Sequence, residues 1–273
     1  MKASVIVTTY NRPDALALVL QGLAAQHDRD FEVLVADDGS KPDTARLVQD
    51  MARSFPVPLA HVWQEDSGFR AGAARNRASA QATGDCLIFI DGDCVPLPDF
   101  VTRHKQLAEL GWFVAGNRVL LSEAFTAHAL AQSPPLYQRS RWQWLWDRWQ
   151  GRINRWLPLL QLGDANWRKR SPQRWQGART CNLAVWREDF VAVNGFDEAY
   201  AGWGHEDADL AVRLIRHGTR RKDGRFATAV MHLWHRENDR SQLAENVQRL
   251  EQILSSSRIQ AQQGLSQYLQ HDA

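Results

Sequence analysis

Two aspartates, Asp91 and Asp93, stand two residues apart directly after an apolar run. Hard divalent ions such as Mg²⁺ and Mn²⁺ prefer oxygen ligands and are commonly held by one or two carboxylates together with substrate phosphates. The pair therefore suits a site for a metal ion and a diphosphate. Asp and Gly are also ordinary turn residues, so Asp-Gly-Asp by itself also describes a solvated turn.

A second cluster, GWGHEDADL at residues 202–210, combines carboxylates, a histidine and an indole at the start of a helix predicted over 207–217. A carboxylate held beside a sugar hydroxyl can act as a general base. Glycines on both sides of Trp203 allow tight turns that present the indole to a sugar ring. Acids at a helix N-terminus are also favoured by the helix dipole, and a tryptophan is as readily a core residue.

Two histidines, His232 and His235, follow an apolar run at residues 226–231 that is predicted to be a strand. Their imidazole nitrogens are able to complete a metal site that the aspartate pair begins. Two histidines near a strand end are, taken alone, more often surface or hydrogen-bonded residues.

Alternating apolar runs and helical patterns predict the framework that holds these groups. Strands are predicted over 3–9, 31–36, 59–64 and 86–90, and helices over 13–26, 42–54 and 70–83. This alternation implies an α/β fold with an open parallel sheet, in which ligands bind at the carboxyl ends of the strands. Polar residues follow all four strands and are expected at that edge: Tyr10, Asn11, Arg12, Asp37, Asp38, Asp66, Asp91 and Asp93.

The second half of the chain has a different character. A strand is predicted over 113–121, and residues 241–270 have the pattern of a polar amphipathic helix. Between them, residues 136–175 contain seven tryptophans and nine Lys or Arg residues against two acids. One interpretation places this segment on an anionic membrane surface. The other is a helical insertion, about 130–175, in which the tryptophans pack and the arginines lie over them.

The composition sets limits on the class of protein. A chain of 273 residues is long enough for one large α/β domain, and 33 basic against 31 acidic residues give no argument for a nucleic-acid partner. Three cysteines without close paired spacing fit a reducing compartment. No apolar run approaches the length of a membrane span, and the first run is too short for a signal peptide. A cytoplasmic protein is expected, peripheral at the inner face of the membrane if residues 136–175 contact lipid.

Together these motifs resemble the family 2 glycosyltransferases of the GT-A fold, from residue 4 to about 235. The segments SVIVTTYNRPDAL, ADDGS and DSGFRAGAARNRASAQATGDCLIFIDGDCVP resemble the nucleotide-binding strands of that family and the approach to its DxD motif. GFDEAYAGWGHEDADLAVRLIRHG resembles the catalytic segment of β-1,4-galactosyltransferases and chondroitin-polymerase-type bacterial enzymes. The resemblance implies one GT-A domain over 1–240, with a nucleotide-binding half (1–120), an acceptor and catalytic half (121–240), and a C-terminal helix and tail (241–273).

The resemblance also implies roles for the matching donor-side residues. Asp38 would accept a hydrogen bond from a uracil imide, and Asp93 and His235 would ligate Mn²⁺ or Mg²⁺. His232 stands where galactosyltransferases carry a methionine ligand, which leaves the ligand set open. The nucleotide-binding residues implied are Thr9, Tyr10, Arg12, Asp38, Arg75, Asn76 and Asp91.

On the acceptor side, the resemblance implies that Asp207 is the base of an inverting reaction, that Glu206 holds a sugar hydroxyl, and that Trp203 and Gly204 line the acceptor pocket. The expected activity moves a hexose or N-acetylhexosamine from a UDP-sugar to a glycan or glycolipid, in bacterial surface polysaccharide or lipopolysaccharide synthesis.

Two other functions compete with this one. A nucleotidyltransferase usually has a glycine-rich phosphate loop after its first strand, where this chain has Thr-Tyr-Asn-Arg. A sugar-nucleotide-binding protein without transfer activity needs no acid on the acceptor side, so the GWGHED cluster favours an enzyme.

Overall fold

A mixed seven-stranded sheet carries the core, and a three-stranded sheet shares that core. The computed structural model describes residues 1–132, 135–236 and 239–269. The strands are, in chain order, β1 (Ala3–Thr9), β2 (Phe31–Asp37), β3 (Leu59–Trp63), β4 (Cys86–Asp91), β5 (Cys94–Pro96), β6 (Trp112–Ala115), β7 (Arg118–Leu120), β8 (Asn182–Trp186), β9 (Arg220–Asp223) and β10 (Val230–His232). The larger sheet has the order β3-β2-β1-β4-β8-β6-β9 and the smaller one β5-β10-β7.

The helices begin and end at residues suited to those positions. Pro13 and Pro42 stand at the first positions of their helices, where a missing N–H removes no helical hydrogen bond. Gly218 ends another helix in the left-handed conformation, with φ +107°. The α-helices of the described residues are α1 (Pro13–Ala24), α2 (Pro42–Ala52), α3 (Ala71–Gln81), α4 (Phe100–Leu107), α5 (Glu123–Gln132), α6 (Arg141–Trp149), α7 (Arg187–Ala192), α8 (Glu206–His217) and α9 (Leu243–Ser255).

The first four strands form the parallel part of the sheet. β1 runs parallel to β2 and β4, and β2 runs parallel to β3. Their carboxyl ends therefore share one edge, as predicted. β8 is antiparallel to both β4 and β6, whereas β6 and β9 are parallel. The sheet is thus mostly parallel, which confirms the predicted α/β fold, and its antiparallel strand β8 lies beside β4.

Helices cover both faces of the larger sheet. Along β1, Val5 and Val7 point into one apolar cluster and Ile6 points into the other. Residues of α1, α2 and α4 belong to the first cluster, and residues of α3, α7 and α8 belong to the second. The two clusters fix α3 and α8 on the same face, which matters for the site described below.

The strand predicted over 113–121 is wrong as a single element, because β6 and β7 lie in different sheets. Gly116 stands between them and donates its N–H to the Asn182 carbonyl oxygen at 2.9 Å. A Cβ at Gly116 would come within 2.2 Å of the Asn182 side chain. The chain therefore needs glycine at this close approach, where it leaves the larger sheet.

The helix predicted over 241–270 is also too long, because α9 ends at Ser255. The following residues turn back toward the end of α7, and Leu265 is buried with its N–H donated to the Asn194 carbonyl. Gly264 permits this approach, since a Cβ there would lie 2.0 Å from the Asn194 oxygen. Tertiary packing of the tail thus overrides the helical pattern.

The segment over 136–175 is less helical than predicted. Within the described residues it contains one α-helix, α6, and three short 3₁₀ turns. Glycines and prolines, among them Gly151 and Pro158, interrupt the remainder. The apolar pattern does form a helix where no glycine or proline intervenes, but that helix is shorter than predicted.

The two sides of α6 differ in burial. Trp144 is buried, and Asp147 is fully buried beside Arg139 at 2.6 Å and Arg152 at 3.0 Å. Arg139 also lies over the Trp144 ring. The packing interpretation is therefore correct for this side. The opposite side exposes Trp142, Trp146 and Trp149, with Trp142 79% exposed.

In residues 1–132, 135–236 and 239–269, no helix is long and apolar enough to span a membrane.

Candidate active site

Asp93, His232 and His235 meet at the carboxyl edge of β4. The antiparallel pairing of β10 with β5 sets His232 opposite Cys94 and so beside Asp93. Asp93 Oδ1 lies 3.7 Å from His232 Nε2, and Asp93 Oδ2 lies 3.4 Å from His235 Nε2. The structure thus brings together the three residues that the sequence suggested as metal ligands.

These three side chains fit a divalent metal ion. Ligands at 2.0–2.1 Å in octahedral geometry are about 3 Å apart, close to the separations here. His235 Nδ1 lies 2.6 Å from the Arg236 carbonyl, which can only accept, so the neutral imidazole has its proton on Nδ1 and its lone pair on Nε2, toward Asp93. Burial lowers the pKa of His232 against the opposing effect of Asp93, which favours the neutral, ligating imidazole.

Cys94 adds a fourth donor atom to this group, with Sγ 3.5 Å from Asp93 Oδ1. Burial raises the pKa of this thiol well above its usual value. Cys94 therefore remains a protonated thiol that donates to the carboxylate. A set of one carboxylate and two imidazoles suits a transition metal such as Mn²⁺ better than Mg²⁺.

Asp38, in the loop after β2, presents a buried carboxylate at the same sheet edge. It accepts hydrogen bonds from the Arg70 N–H at 2.7 Å and from Gln64 Nε2 at 2.6 Å. Burial raises the pKa of Asp38 to about 6, although these two bonds lower it. The group is mostly ionised at neutral pH, and each oxygen retains a lone pair for a ligand donor.

Thr9 ends β1, Tyr10 and Arg12 follow it, and the three side chains differ in their surroundings. Tyr10 is 46% exposed, and its hydroxyl donates to Asp66 Oδ2 at 3.0 Å. The Thr9 hydroxyl is buried and has no hydrogen-bond partner among the described residues. Arg12 forms an ion pair with Asp14 at 3.0 Å, at the start of α1. The Tyr10 ring is thus partly open to solvent and the Thr9 hydroxyl keeps an unused hydrogen-bonding capacity, whereas Arg12 is engaged within the protein.

Arg75 of α3 joins two acidic groups. Its Nη2 donates to Asp91 Oδ1 at 3.0 Å, its Nε donates to Thr8 Oγ1 at 2.9 Å, and its Nη1 lies 3.6 Å from Glu206 Oε1. Burial acts to lower the pKa of Arg75, but Asp91, Asp207 and Glu206 together raise it. One buried guanidinium therefore connects the Asp-Gly-Asp loop to the start of α8.

Asn76 is not open to a ligand at the carboxyl edge of the strands, although the resemblance implies a nucleotide-binding role for it. Its side chain is fully buried, with Nδ2 donating to the Phe196 carbonyl and to Glu198 Oε1, both at 2.9 Å. Its Oδ1 accepts the Phe196 N–H at 2.8 Å. All three contacts lie on the chain between α7 and α8. We therefore expect Asn76 to hold α3 against that connection and not to contact a nucleotide.

Replacing Asn76 with alanine is expected to lower the free energy of unfolding by about 2–4 kcal/mol, because the buried Phe196 N–H and C=O lose their partner. Denaturant unfolding measures this loss. The matched control is Asn166→Ala at an exposed asparagine, with an expected change within about 0.5 kcal/mol. Ligand affinity measured on folded Asn76→Ala should be unchanged, and a selective loss of nucleotide affinity without loss of stability would contradict the structural role.

Glu206 and Asp207 form an adjacent acid pair at the start of α8. Burial raises the pKa of Glu206 to about 7, Asp207 adds to the rise, and Arg75 opposes it. Burial also raises the pKa of Asp207, against the effects of Arg75 and of the Thr180 hydroxyl that donates to its Oδ1. The pKa of Asp207 therefore lies above its usual value, which strengthens this carboxylate as a general base.

The turn before this acid pair has an unusual backbone. Gly202, Gly204 and His205 all have positive φ, at +74°, +115° and +73°. The side chain of His205 makes this conformation costly, and such positions often accompany functional sites. Trp203 is 38% exposed, with Arg240 stacked on its ring at 5.0 Å. The turn presents one face of the indole directly before Glu206.

Two residues that complete the site carry no recognisable sequence signal. Thr180, which donates to Asp207, lies in an irregular stretch before β8. Gln64 lies just beyond β3 and reaches Asp38 across 26 residues. Neither position has a motif, because each contact depends on how β3, β8 and α8 are placed in space.

The sequence matches two family models in succession. Residues 4–161 match Glycosyl transferase family 2, and residues 164–236 match the N-terminal domain of galactosyltransferase. Validoxylamine A glucosyltransferase of Streptomyces hygroscopicus subsp. jinggangensis is 31% identical over 237 residues, covering 79% of this chain and 51% of that relative. Hyaluronan synthase of Pasteurella multocida is 29% identical over 239 residues, covering 79% and 23%. The chain therefore spans about half the length, or less, of these relatives.

Solved structures resemble the fold over most of the chain. S. aureus TarS (1-349) in complex with UDP has a TM-score of 0.60 at 16% identity, covering 98% of this chain and 68% of that one. Mannosyltransferase PcManGT of Pyrobaculum calidifontis, in complex with GDP-Man and Mn²⁺, has a TM-score of 0.57 at 20% identity, covering 91% and 60%. At such low identity the likeness concerns the fold alone. It confirms the predicted GT-A fold.

Proposed function

The chain belongs to glycosyl transferase family 2, and we propose that it moves a hexose or N-acetylhexosamine from a UDP-sugar to a glycan or glycolipid hydroxyl, with inversion. The contact that best supports this proposal is Arg75, which joins Asp91 on the donor side to Glu206 at the start of α8. The sugar would pass from the donor to the acceptor in one displacement, so the donor-side and acceptor-side residues must lie close together. We also propose that residues 1–240 act as one domain.

In this proposal Asp93, His235 and His232 hold the divalent ion. When bound, the ion supplies positive charge that stabilises the departing diphosphate. The Mn²⁺ in the PcManGT complex supports this choice of metal. Asp91, oriented by Arg75, would face the ribose or the hydration shell of the ion, and the unpartnered Thr9 hydroxyl would bond the nucleotide.

Asp38 and Tyr10 bind the uracil base in this proposal. The Asp38 carboxylate accepts the imide N–H, and the exposed Tyr10 ring provides a stacking surface. The UDP in the TarS complex supports uridine as the nucleoside. Donor binding by this pair requires an ionised carboxylate, which makes it sensitive to mild acid.

Uridine affinity is expected to fall as pH drops through about 6, the pKa of Asp38, because the protonated carboxyl loses the negative charge that the imide N–H bonds. Uridine without metal is the suitable probe, since it carries no phosphate that titrates in this range. Saturation-transfer NMR from pH 5 to 8 measures the binding. Asp38→Asn should bind uridine roughly 10–100-fold more weakly and show no such pH step. An identical step in both proteins would rule out Asp38.

Asp207 acts as the base in this proposal. It removes the proton from the acceptor hydroxyl as that oxygen attacks the anomeric carbon from the face opposite the diphosphate, so the single displacement inverts the configuration. Thr180 orients the carboxylate by its hydrogen bond. Glu206 holds a sugar hydroxyl, and Trp203 and Gly204 form the acceptor wall. The hyaluronan synthase relative supports a polysaccharide product, such as a bacterial surface polysaccharide or lipopolysaccharide.

The exposed side of α6 supports the proposal that the protein lies against an anionic membrane. Trp142, Trp146 and Trp149 recur at the spacing that places them on one helix face, and all three are exposed. Arg141 and Arg148, seven residues apart, flank that face. Interfacial tryptophans beside arginines match the chemistry of an anionic bilayer surface. We propose a cytoplasmic location, peripheral at the inner face of the membrane.

Sedimentation with vesicles tests the membrane contact. The protein should sediment with vesicles containing phosphatidylglycerol at low salt and remain in solution with phosphatidylcholine alone. The double variant Trp142→Ala/Trp149→Ala should lose most of this binding. Trp63→Ala, at an exposed tryptophan outside residues 136–175, should keep it. Failure of the wild-type protein to sediment at low salt would exclude the contact.

A donor panel tests the proposed function as a whole. The protein is incubated with Mn²⁺ and UDP-glucose, UDP-galactose or their N-acetylhexosamine counterparts, and UDP release is measured with and without an acceptor mixture. A transferase releases UDP from one donor. Formation of pyrophosphate from UTP and a sugar 1-phosphate would instead identify a nucleotidyltransferase, and tight UDP binding without turnover of any donor would identify a binding protein.

A further inference from the structure

A cationic pocket of about 360 Å³ lies at the β9 side of the larger sheet, outside the site described above. Five arginines and a single acid, Asp223, line it together with Trp167. The acid is already engaged, since Asp223 Oδ2 lies 2.7 Å from Arg225 Nη2. The pocket therefore carries a surplus of positive charge.

Two of the five arginines build the walls. Arg168 is buried, and its guanidinium donates to four backbone carbonyls, including those of Asp223 and Arg225. Arg221 donates to the carbonyls of Arg174 and Gln176. These bonds fix the backbone on both sides of the pocket, so its shape is set before any ligand arrives.

Two of the other three arginines supply the free charge, since Arg225 is paired with Asp223. Arg170 and Arg174 form no side-chain hydrogen bond or ion pair within residues 1–132, 135–236 and 239–269. By contrast, nearby Lys222 pairs with Asp164 at 2.7 Å and with Glu109 at 3.2 Å. The lysine beside the pocket is thus neutralised within the protein, whereas the two arginines present their guanidinium groups to a ligand.

The pocket lies on the same side of the sheet as the acid pair. Arg221 is in register with Phe113, whose side chain belongs to the apolar cluster that includes Leu210 of α8. Gly177 lines the pocket and stands three residues before Thr180, which bonds Asp207. Three residues span at most about 11 Å, the length of one or two sugar units.

We infer that this pocket binds an anionic group of the acceptor glycan, a carboxylate or a phosphate ester, one or two sugars from the hydroxyl that reacts. Arginine suits this purpose because its planar fork pairs with both oxygens of such a group. Trp167, at the pocket wall, offers a face for the sugar ring that bears the charge. The inference rests on the proposed function, since it names the acceptor class.

Calorimetric titration of the full chain tests the inference with three tetrasaccharide-sized probes. Two are anionic, an oligosaccharide that contains glucuronate and an oligomer of glycerol phosphate, and a neutral N-acetylglucosamine oligomer is the reference. The variant Arg170→Gln/Arg174→Gln removes the free charges, and Arg46→Gln/Arg53→Gln, at two exposed arginines on and just after α2, is the matched control. The wild-type protein and the control should bind one anionic probe at least roughly 10-fold more tightly than the neutral one, and the double variant should lose that preference.

Three outcomes would overturn the inference: equal affinity for charged and neutral probes, an unchanged preference in the double variant, or displacement of the probe by UDP, which would assign the pocket to the donor. UDP affinity with Mn²⁺ is measured on the same samples. Absence of UDP binding in the wild-type protein would contradict the proposed function. Intact UDP binding without a preference for charged probes would overturn the pocket inference alone.

Discussion

Asp207→Asn is expected to lower kcat for sugar transfer by about 10²–10⁴-fold, the usual contribution of a general base. The amide keeps the shape of the side chain and still accepts the Thr180 hydroxyl, but it cannot take the acceptor proton. UDP affinity should be unchanged, because Asp207 lies on the acceptor side of Arg75. Steady-state rates with saturating donor and acceptor, together with UDP titration, measure both quantities.

Two further variants separate this effect from general loss of charge. Asp43→Asn changes an acid on the surface of α2 that is 72% exposed, and it should retain full activity. Glu206→Gln keeps the Asp207 carboxylate and changes only the acid proposed to hold a sugar hydroxyl, so the rate should fall less than in Asp207→Asn. Transfer at the wild-type rate by Asp207→Asn would show that another group is the base.

Asp93→Ala is expected to abolish the dependence of UDP binding on Mn²⁺ and to lower the transfer rate by on the order of 10³-fold, since Lewis-acid stabilisation of a leaving group is worth several kcal/mol. Both effects are expected because Asp93 is, among the described residues, the one whose carboxylate faces both His232 and His235. Calorimetry with UDP, with and without Mn²⁺, measures the first effect.

Asp99→Asn provides the control for this experiment, because Asp99 lies six residues further along and pairs with Arg103 away from the histidines. It should leave metal-dependent binding intact. His235→Ala should resemble Asp93→Ala but with a smaller loss, since Asp93 and His232 remain. If Asp93→Ala still binds UDP more tightly when Mn²⁺ is added, the ion is held elsewhere.

The first 91 residues were readily predicted because local pattern and tertiary packing agree there. Each strand and helix appears with its ends shifted by no more than two residues. The parallel order then places Asp38 and Asp93 at one edge without further information. Asp93, His232 and His235 also come together as expected, because Asp93 lies just past β4 and the two histidines lie at and just past the end of β10.

Predictions failed where long-range contacts decide the structure. The single strand expected over 113–121 is divided by the close approach of Gly116 to Asn182, which nothing nearby in the sequence announces. Asn76 matched a nucleotide-binding motif, yet its amide bonds Phe196. The partner of Asp207, Thr180, stands in irregular chain and is recognised only once α8 is in place.

The bond between Asn76 and Phe196 has a consequence for folding during synthesis. It joins residues 120 positions apart, and Leu265 packs into the same apolar cluster from further along the chain. The parallel strands β1 to β4 leave the ribosome early, but α3 and its Arg75 acquire their final partners only after α7, α8 and the tail have emerged. Such distant contacts form slowly and late. The nascent chain therefore has the sheet edge proposed to bind the nucleotide well before α8 and its acid pair are in place.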